Sequence, residues 1–168
     1  LKWTLGDQGN WQEPCSDMLL KPADGLQWQD HQHDVSVTAA GTILCFDNGN
    51  NRATPFGDKM ADVDCYSRGA EFAVDEDAMT VSEVWSYGGG EGEKLFACYQ
   101  GGAFRLPKTG NTFITYGGVC TKDGVPWANN QECFVRSRLV EVTPEKEVVF
   151  DIWIDSDETA GGVPLSSF

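Results

Sequence analysis

Positive charge is scarce in this sequence. Its 168 residues include 12 Lys and Arg against 26 Asp and Glu, a formal net charge of −14 and a pI of about 4.3. A chain this acidic repels the phosphates of nucleic acids and anionic membranes, so no nucleic-acid partner is expected. Long apolar runs are also missing: none approaches the ~20 residues that span a bilayer, so membrane insertion is not expected. Hydrophobic residues still make up 40% of the chain, enough for a packed core.

An initiator methionine and a signal peptide are likewise absent from the start, which reads "LKWTLGDQGNW". This beginning indicates a processed or cut product. The length suits one domain or part of a larger one.

Helical periodicity is rare, because few windows place apolar residues at i, i+3, i+4 and i+7. Short segments rich in β-branched and aromatic residues are frequent instead, and Gly, Asn, Asp or Pro bound each of them. "GAEFAVD", for example, alternates so that Ala70, Phe72 and Val74 share one face. The chain is therefore predicted to be all-β. The predicted strands lie in "GTILCFDN", "GAEFAVD", "TVSEVWSY", "GAFRLP", "NTFITYGG", "FVRSRLVEVT" and "EVVFDIWI".

The strand pattern repeats at an offset of about 70 residues, as in four-stranded repeat units. Each unit reads strand, turn, strand, long loop, strand, turn, strand, which is the antiparallel meander of a β-propeller blade. The matched pairs are Gly41 with Gly110, Arg68 with Arg138, Glu71 with Glu141, and Trp85 with Phe150.

The repeat predicts a segment of two to three blades. Residues 1–29 would end one blade and connect to the next, 30–95 and 96–155 would each form a blade, and 156–168 would begin a further element. Propellers close with four to eight blades, so the remaining blades or a partner chain are expected to complete the ring. A small closed β-sandwich is the alternative fold.

Paired cysteines of the CxxC type are absent, which argues against a zinc ribbon or a thioredoxin-type motif. The six cysteines are even in number and favour disulfides in an oxidising compartment. Cys120 and Cys133 flank a polar segment and form the predicted bridge. Cys45 lies in an apolar strand and can equally be a small buried hydrophobic residue.

An ordered series of motifs resembles the bacterial arylsulfotransferase family along nearly the whole chain. The series comprises the tryptophan strand "LKWTLGD", Gln-His-Asp in "HQHDVSV", the turn "FDNGNNR", Ser-Arg before an acidic strand, and "LPKTGNT". The resemblance implies a six-bladed β-propeller in the periplasm or outside the cell. It also implies sulfuryl transfer from an aryl sulfate to a phenol through a sulfohistidine, without a nucleotide sulfate donor.

Two site residues follow from the resemblance. His33 matches the histidine of the Gln-His-Asp motif, which implies a catalytic acid–base and sulfate-binding role, and Arg52 matches the sulfate-binding arginine. The family's nucleophilic histidine lies on a later blade, whereas this sequence has no histidine after His33. In the repeat, Gly102 stands opposite His33 and Tyr116 opposite Asp47.

The chemistry of sulfate esters fits these residue types. Imidazole can carry a proton near neutral pH, and the planar fork of arginine suits an oxyanion. Trp28, close to His33 in sequence, is a candidate for stacking on a phenolic ring.

Metal binding is a weaker interpretation of the same stretch. His31 and His33 would point to one side of a regular strand and could bind zinc with Asp34 or Asp47. "FDNGNNR" and "DKMADVD" are rich in oxygen ligands and could hold calcium, although a tight turn explains the Asn-Gly pair. Otherwise no cofactor is expected.

Three functions therefore remain open. The first is an arylsulfotransferase-like enzyme in the intact protein. The second is a non-catalytic propeller that serves binding or assembly, which the missing later histidine favours. The third is a metal-binding β protein that uses His31 and His33.

Overall fold

The computed structural model describes residues 2–155 apart from residues 8, 10, 54–56, 90–93 and 129–132. The element predicted at 156–168 lies outside the described residues. Within them the chain is all-β, as predicted, and its two sheets are both open. A short 3-10 helix, Ser16–Met18, precedes the strands. None of the helices in the described part is long and apolar enough to cross a membrane.

Sheet 1 is an antiparallel meander with one added parallel strand. Its order is β1-β5-β4-β3-β2, and β1 pairs in parallel with β5 through Lys21 and Thr80. The strands are β1 (Lys21–Pro22), β2 (Gln32–Val37), β3 (Ile43–Asp47), β4 (Arg68–Asp75) and β5 (Thr80–Tyr87).

Sheet 2 is a second antiparallel meander. Its order is β10-β9-β7-β6, and β8 pairs with β7 at one side. The strands are β6 (Gly102–Arg105), β7 (Thr112–Lys122), β8 (Val125–Pro126), β9 (Phe134–Val142) and β10 (Val148–Asp155).

The predicted repeat is visible in the hydrogen bonds and the register. The turn residue after Gly41, Thr42, donates to Glu71, and the residue after Gly110, Asn111, donates to Glu141. Both glycines have a positive φ, 82° and 74°, which side chains rarely adopt. The two meanders therefore carry the same turn and the same acidic acceptor at equivalent positions.

The main core lies between the two sheets. Phe46 of β3 meets Tyr116 of β7 edge to face, with ring centroids 5.3 Å apart. Leu44, Ile114 and Val140 are fully buried around this pair. Each sheet thus supplies the alternate residues of its central strands to one shared core.

The N-terminal segment covers the other face of sheet 1. Leu20 packs with Ala70 and Phe72 of β4, and Trp3 and Trp28 lie against the same cluster. Because Ala70 and Phe72 fall on one face as their alternation predicts, this packing fixes the register of β4. It also holds residues 26–31 over the end of β3.

The face of sheet 2 that points away from sheet 1 is apolar and exposed. Phe104 of β6 is 47% exposed, and on β10 Phe150, Ile152 and Ile154 are exposed by 41%, 45% and 37%. Register places Phe104 and Phe150 in one row across the sheet, with Phe113 and Glu141 between them. We call this surface the outer face of sheet 2.

Cys120 and Cys133, the predicted pair, form a disulfide with their Cα atoms 5.8 Å apart. Cys120 lies on β7, and the bridge ties this strand to the segment before β9. The other four cysteines are free, and Cys45 is buried within the core of sheet 1.

Candidate functional site

The two histidines lie at the start of β2 but do not share one strand face. β2 begins at Gln32, and His31 precedes it with a φ of 54°. Asp34 also has a positive φ of 53°, and the pairing with β3 shifts register between His33 and Ser36. The regular strand that would point both imidazoles to one side is therefore not present here, because the backbone turns at His31 and Asp34.

A buried asparagine orients the ring of His33. The His33 Nδ1 atom lies 2.7 Å from Asn48 Oδ1. The amide of Asn48 donates to the backbone carbonyls of Ala97, at 2.6 Å, and Gln100, at 2.8 Å, so its Nδ2 atom cannot face the ring as well. Asn48 Oδ1 is thus the acceptor, and Nδ1 of His33 carries the proton. In the neutral ring, Nε2 then holds the lone pair that can take a proton or contact an electrophile.

Asn48 is itself fixed by its neighbours. It is fully buried, and its carbonyl accepts a hydrogen bond of 2.6 Å from the Ser67 hydroxyl. Ser67 also accepts from the amide of Ala97 at 2.8 Å. The orientation of His33 is therefore supported by a second layer of hydrogen bonds.

The preceding residue, Asp47, is the centre of a buried ion-pair cluster. Its carboxylate is fully buried and accepts from the side chains of Arg52, at 3.0 Å, and Arg68, at 2.9 Å. The amides of Asp30, at 2.9 Å, and Gly49, at 3.0 Å, complete its four donors. A carboxylate buried in this way is tolerated because each of its oxygens is bonded.

Arg52 extends from this cluster towards the N-terminal segment. Its Nη1 atom lies 3.0 Å from Asp30 Oδ2 and donates to the Trp28 carbonyl at 3.1 Å. Its guanidinium lies over the Tyr66 ring, 4.5 Å from the centroid. Among the described residues, its buried Nε has no hydrogen-bond partner.

Asp30 is the less buried acid of the two that hold Arg52. Burial raises the pKa of Asp30 above its ordinary value, the charge of Arg52 opposes this shift, and the carboxylate of Asp47 adds to it. Asp30 therefore binds protons more readily than an exposed aspartate.

A cleft of about 1020 Å³ opens beside Arg52. Aromatic and apolar groups line part of its wall, including Trp11, Trp28 and Met60, and His31 also lines it. His33 is not among the described residues of this wall. A planar cation next to two indole rings suits a ligand that combines an anionic group with an aromatic ring.

The two predicted site residues are held by consecutive residues whose side chains point in opposite directions. Asp47 holds Arg52 on the side of the N-terminal segment, and Asn48 holds His33 on the side of sheet 2. The segment 47–52 thus fixes both of them.

The arginines of the recurring Ser-Arg pairs form ion pairs across the sheets. Arg68 of β4 pairs with Asp47 of β3 and Glu83 of β5, and Arg138 of β9 pairs with Asp151 of β10. In each sheet the arginine therefore joins its strand to a neighbouring strand.

Metal-binding groups do not come together in the described part of the chain, where no three His, Cys, Asp or Glu side chains form a cluster. The oxygen-rich "FDNGNNR" segment is used otherwise: Asp47 holds two arginines, and Asn50 donates to the Cys98 carbonyl at 3.0 Å. In "DKMADVD", Asp62 pairs with Lys59 and accepts from the amide of Ala128.

Comparison with known proteins identifies the family of the chain. The family described as Arylsulfotransferase (ASST) matches residues 1–162. The chain belongs to the arylsulfotransferase family.

Two relatives of the chain are named arylsulfate sulfotransferase AssT. The arylsulfate sulfotransferase AssT of Escherichia coli O6:H1 (strain CFT073) is 29% identical over 116 residues. The arylsulfate sulfotransferase AssT of Lelliottia amnigena is 28% identical over 116 residues. Each match covers 58% of this chain and 19% of the relative, so the chain spans about a fifth of the length of these arylsulfotransferases.

Sequence reasoning missed two residues of this arylsulfotransferase segment. Asp30 stands three residues before His33, and nothing in its local pattern shows that it reaches Arg52. Tyr66 lies in a long loop and gives Arg52 an aromatic neighbour. The sequence signal for this contact was the Ser-Arg motif just after Tyr66, which indicates that this part of the loop lies near β3.

Proposed function

We propose that the intact protein transfers sulfuryl groups from aryl sulfates to phenols. In this proposal His33 is an acid–base and sulfate-contacting residue, Arg52 binds the sulfate oxygens, and Trp28 stacks on the aromatic ring. The observation that carries it is the cleft, whose wall contains both Arg52 and Trp28. The role of His33 comes from the family motif, because His33 is oriented by Asn48 but does not line the described wall of this cleft. Family membership supplies the reaction class.

Each role has a physical basis in the site. The lone pair on His33 Nε2 can accept the proton of an attacking phenol or return one to a leaving phenolate. The guanidinium of Arg52 is planar and permanently charged, which suits the oxygens of a sulfate ester. Trp28 lines the same cleft as Arg52, and its backbone carbonyl accepts a hydrogen bond from Arg52.

The covalent nucleophile is not assigned to this chain. The resemblance places it on a later blade, and the two histidines here are His31 and His33. We propose that a histidine from the rest of the protein or from a partner chain completes the reaction.

For the fold, we propose that sheets 1 and 2 are neighbouring blades of a six-bladed propeller. Support comes from the equivalent meanders and from the exposed outer face of sheet 2, which a further blade would cover. We also propose a periplasmic or extracellular location. The disulfide Cys120–Cys133 supports it, because disulfides persist in oxidising compartments.

One observation favours the alternative of a non-catalytic binding module. Both terminal nitrogens of Arg52 already contact carboxylates, those of Asp47 and Asp30. An anion would have to compete with these groups for the guanidinium.

A transfer assay with the full-length protein tests the proposed function. The donor is 4-nitrophenyl sulfate, the acceptor is phenol, and the readout is release of 4-nitrophenolate. His33→Ala should lower kcat/KM by roughly 10²–10⁴-fold, the usual contribution of a general acid–base group. Lys108→Ala, an exposed residue outside the cleft, is the control, and it should retain most of the activity.

Two results would contradict the enzyme proposal. If the parent protein releases no nitrophenolate but binds aryl sulfates, the binding-module alternative is correct. If transfer persists unchanged in His33→Ala, His33 has no role in the chemistry.

A further inference from the structure

The Asp30 carboxylate is paired with the terminal nitrogen of Arg52 that an anion in the cleft would approach. Its Oδ2 atom lies 3.0 Å from Arg52 Nη1, and the second bond of Nη1 goes to the Trp28 carbonyl. The side chain of Asp30 is 25% exposed, against 6% for Arg52. Both residues line the cleft. Asp30 therefore stands between the guanidinium and a ligand.

The net charge of the ion-pair cluster around Arg52 shows why the position of Asp30 affects anion binding. Two guanidinium groups, of Arg52 and Arg68, face three carboxylates, of Asp30, Asp47 and Glu83. With all five groups ionised, the cluster carries a net charge of −1. An incoming sulfate ester would be repelled unless one carboxylate becomes neutral or leaves.

Of the three carboxylates, Asp30 is the one that can become neutral or move away from its arginine. Asp47 is fully buried and accepts from four donors, so its removal would leave two buried arginines unpaired. Glu83 pairs with Arg68 and does not contact Arg52. Asp30 contacts a single arginine and borders the cleft, and its backbone amide stays bonded to Asp47 if its carboxylate moves.

We propose that the Asp30 carboxylate is an internal competitor for the sulfate site at Arg52, and that aryl sulfates bind when it is protonated or displaced. This inference rests on the proposed function, because it assumes that Arg52 binds the sulfate group. It makes Asp30 a residue that controls affinity for the anionic ligand.

A pH dependence follows with a defined sign. The groups that act on Asp30 are Arg52, Asp47, His31 and Arg68, and burial raises its pKa. Ligand binding that requires neutral Asp30 takes up one proton, so affinity falls as pH rises above this pKa. The limit is about tenfold in Kd per pH unit.

The experiment measures binding of phenyl sulfate to the full-length protein by calorimetry between pH 4.5 and 8. In the parent, Kd should increase steadily with pH. Asp30→Asn keeps the shape of the side chain and removes its charge, so Kd at pH 7.5 should fall by about tenfold or more. The pH dependence should flatten at the same time. Asp77→Asn, an exposed acid outside the cleft, is the control and should change neither quantity.

Folding is checked separately. Because the pKa of Asp30 is raised in the folded state, its ionisation lowers stability as pH rises through that pKa. The melting temperature of Asp30→Asn at pH 7.5 shows whether the variant is folded in the binding assay, where Arg52 keeps its bond to Asp47. Asp30→Ala, which removes the competing group altogether, gives a second variant with the same expected gain in affinity.

Arg52→Lys separates the two possible failures. If phenyl sulfate binds equally well to Arg52→Lys and to the parent, Arg52 is not the sulfate site, and the assignment within the proposed function fails. If Arg52→Lys weakens binding but the Asp30 variants leave Kd and its pH dependence unchanged, the competitor role of Asp30 is wrong and the sulfate site stands.

Discussion

At the scale of single residues, Asp47 connects the stability of the site with its chemistry. Its carboxylate binds both Arg52 and Arg68, and its backbone continues into Asn48, which orients His33. The sequence marked "FDNG" as a turn but did not show that the aspartate would be fully buried. Long-range partners, Arg68 among them, decide that burial.

Asp47→Asn should therefore be strongly destabilising. The substitution removes the shared negative charge and leaves two buried guanidinium groups without it, which costs about 3–5 kcal/mol of unfolding free energy. Urea denaturation at pH 7 measures the loss. Asp155→Asn is the control, because Asp155 is 54% exposed in its pair with Arg136 and should cost less than about 1 kcal/mol. Equal losses in both variants would show that burial of the Asp47 cluster has no special weight.

At the scale of elements, the segment 47–52 positions the site. Gly49 has a φ of 69°, and a Cβ there would lie 2.0 Å from the Tyr66 carbonyl oxygen and 2.8 Å from Arg52 Nη2. The glycine therefore allows the chain to turn between the Tyr66 backbone and the guanidinium.

Most strands were predictable, because alternation and turn residues are local signals. The irregular start of β2 at His31 was not, because His31 lies outside the strand with a positive φ.

Gly49→Ala tests this segment against a glycine of similar conformation. Gly110 has a φ of 74° and open space around its missing Cβ. Gly110→Ala should cost only the left-handed backbone penalty, about 1–2 kcal/mol. Gly49→Ala adds a collision with backbone and with Arg52, so it should destabilise the protein more and weaken phenyl sulfate binding. Thermal melting and the binding assay check both effects, and indistinguishable variants would contradict the packing described for Gly49.

At the scale of the whole molecule, the repeat was the most informative signal in the sequence. It placed Gly102 opposite His33 and Tyr116 opposite Asp47. The register agrees, because Arg68 pairs with Asp47 just as Arg138 pairs with Tyr116. Equivalent positions thus carry an ion pair in sheet 1 and an aromatic ring in sheet 2. The role of Asp30 could not be predicted, since it depends on how the N-terminal segment folds over sheet 1.

The cysteines of the molecule differ in burial, so chemical labelling can distinguish them. Burial raises the pKa of Cys45 to about 12 and that of Cys98 to about 11, and it also raises the pKa of Cys65. Thiolates are the reactive form, so these three should react slowly with iodoacetamide at pH 8. Cys15 is half-buried and should react first.

Intact mass after timed alkylation gives the count for this chain. One label is expected quickly in the native protein, four after unfolding, and six only after reduction of Cys120–Cys133. Rapid native labelling of Cys45 or Cys98 would contradict their burial.

The outer face of sheet 2 also affects whether copies of the protein aggregate. Phe104, Phe150, Ile152 and Ile154 form an adhesive surface on a chain of net charge −14. In dilute buffer this charge keeps copies apart, whereas salt shortens the range of repulsion to about 8 Å at 0.15 M and leaves apolar attraction intact. Wherever this face is uncovered, ionic strength therefore controls whether copies disperse or aggregate.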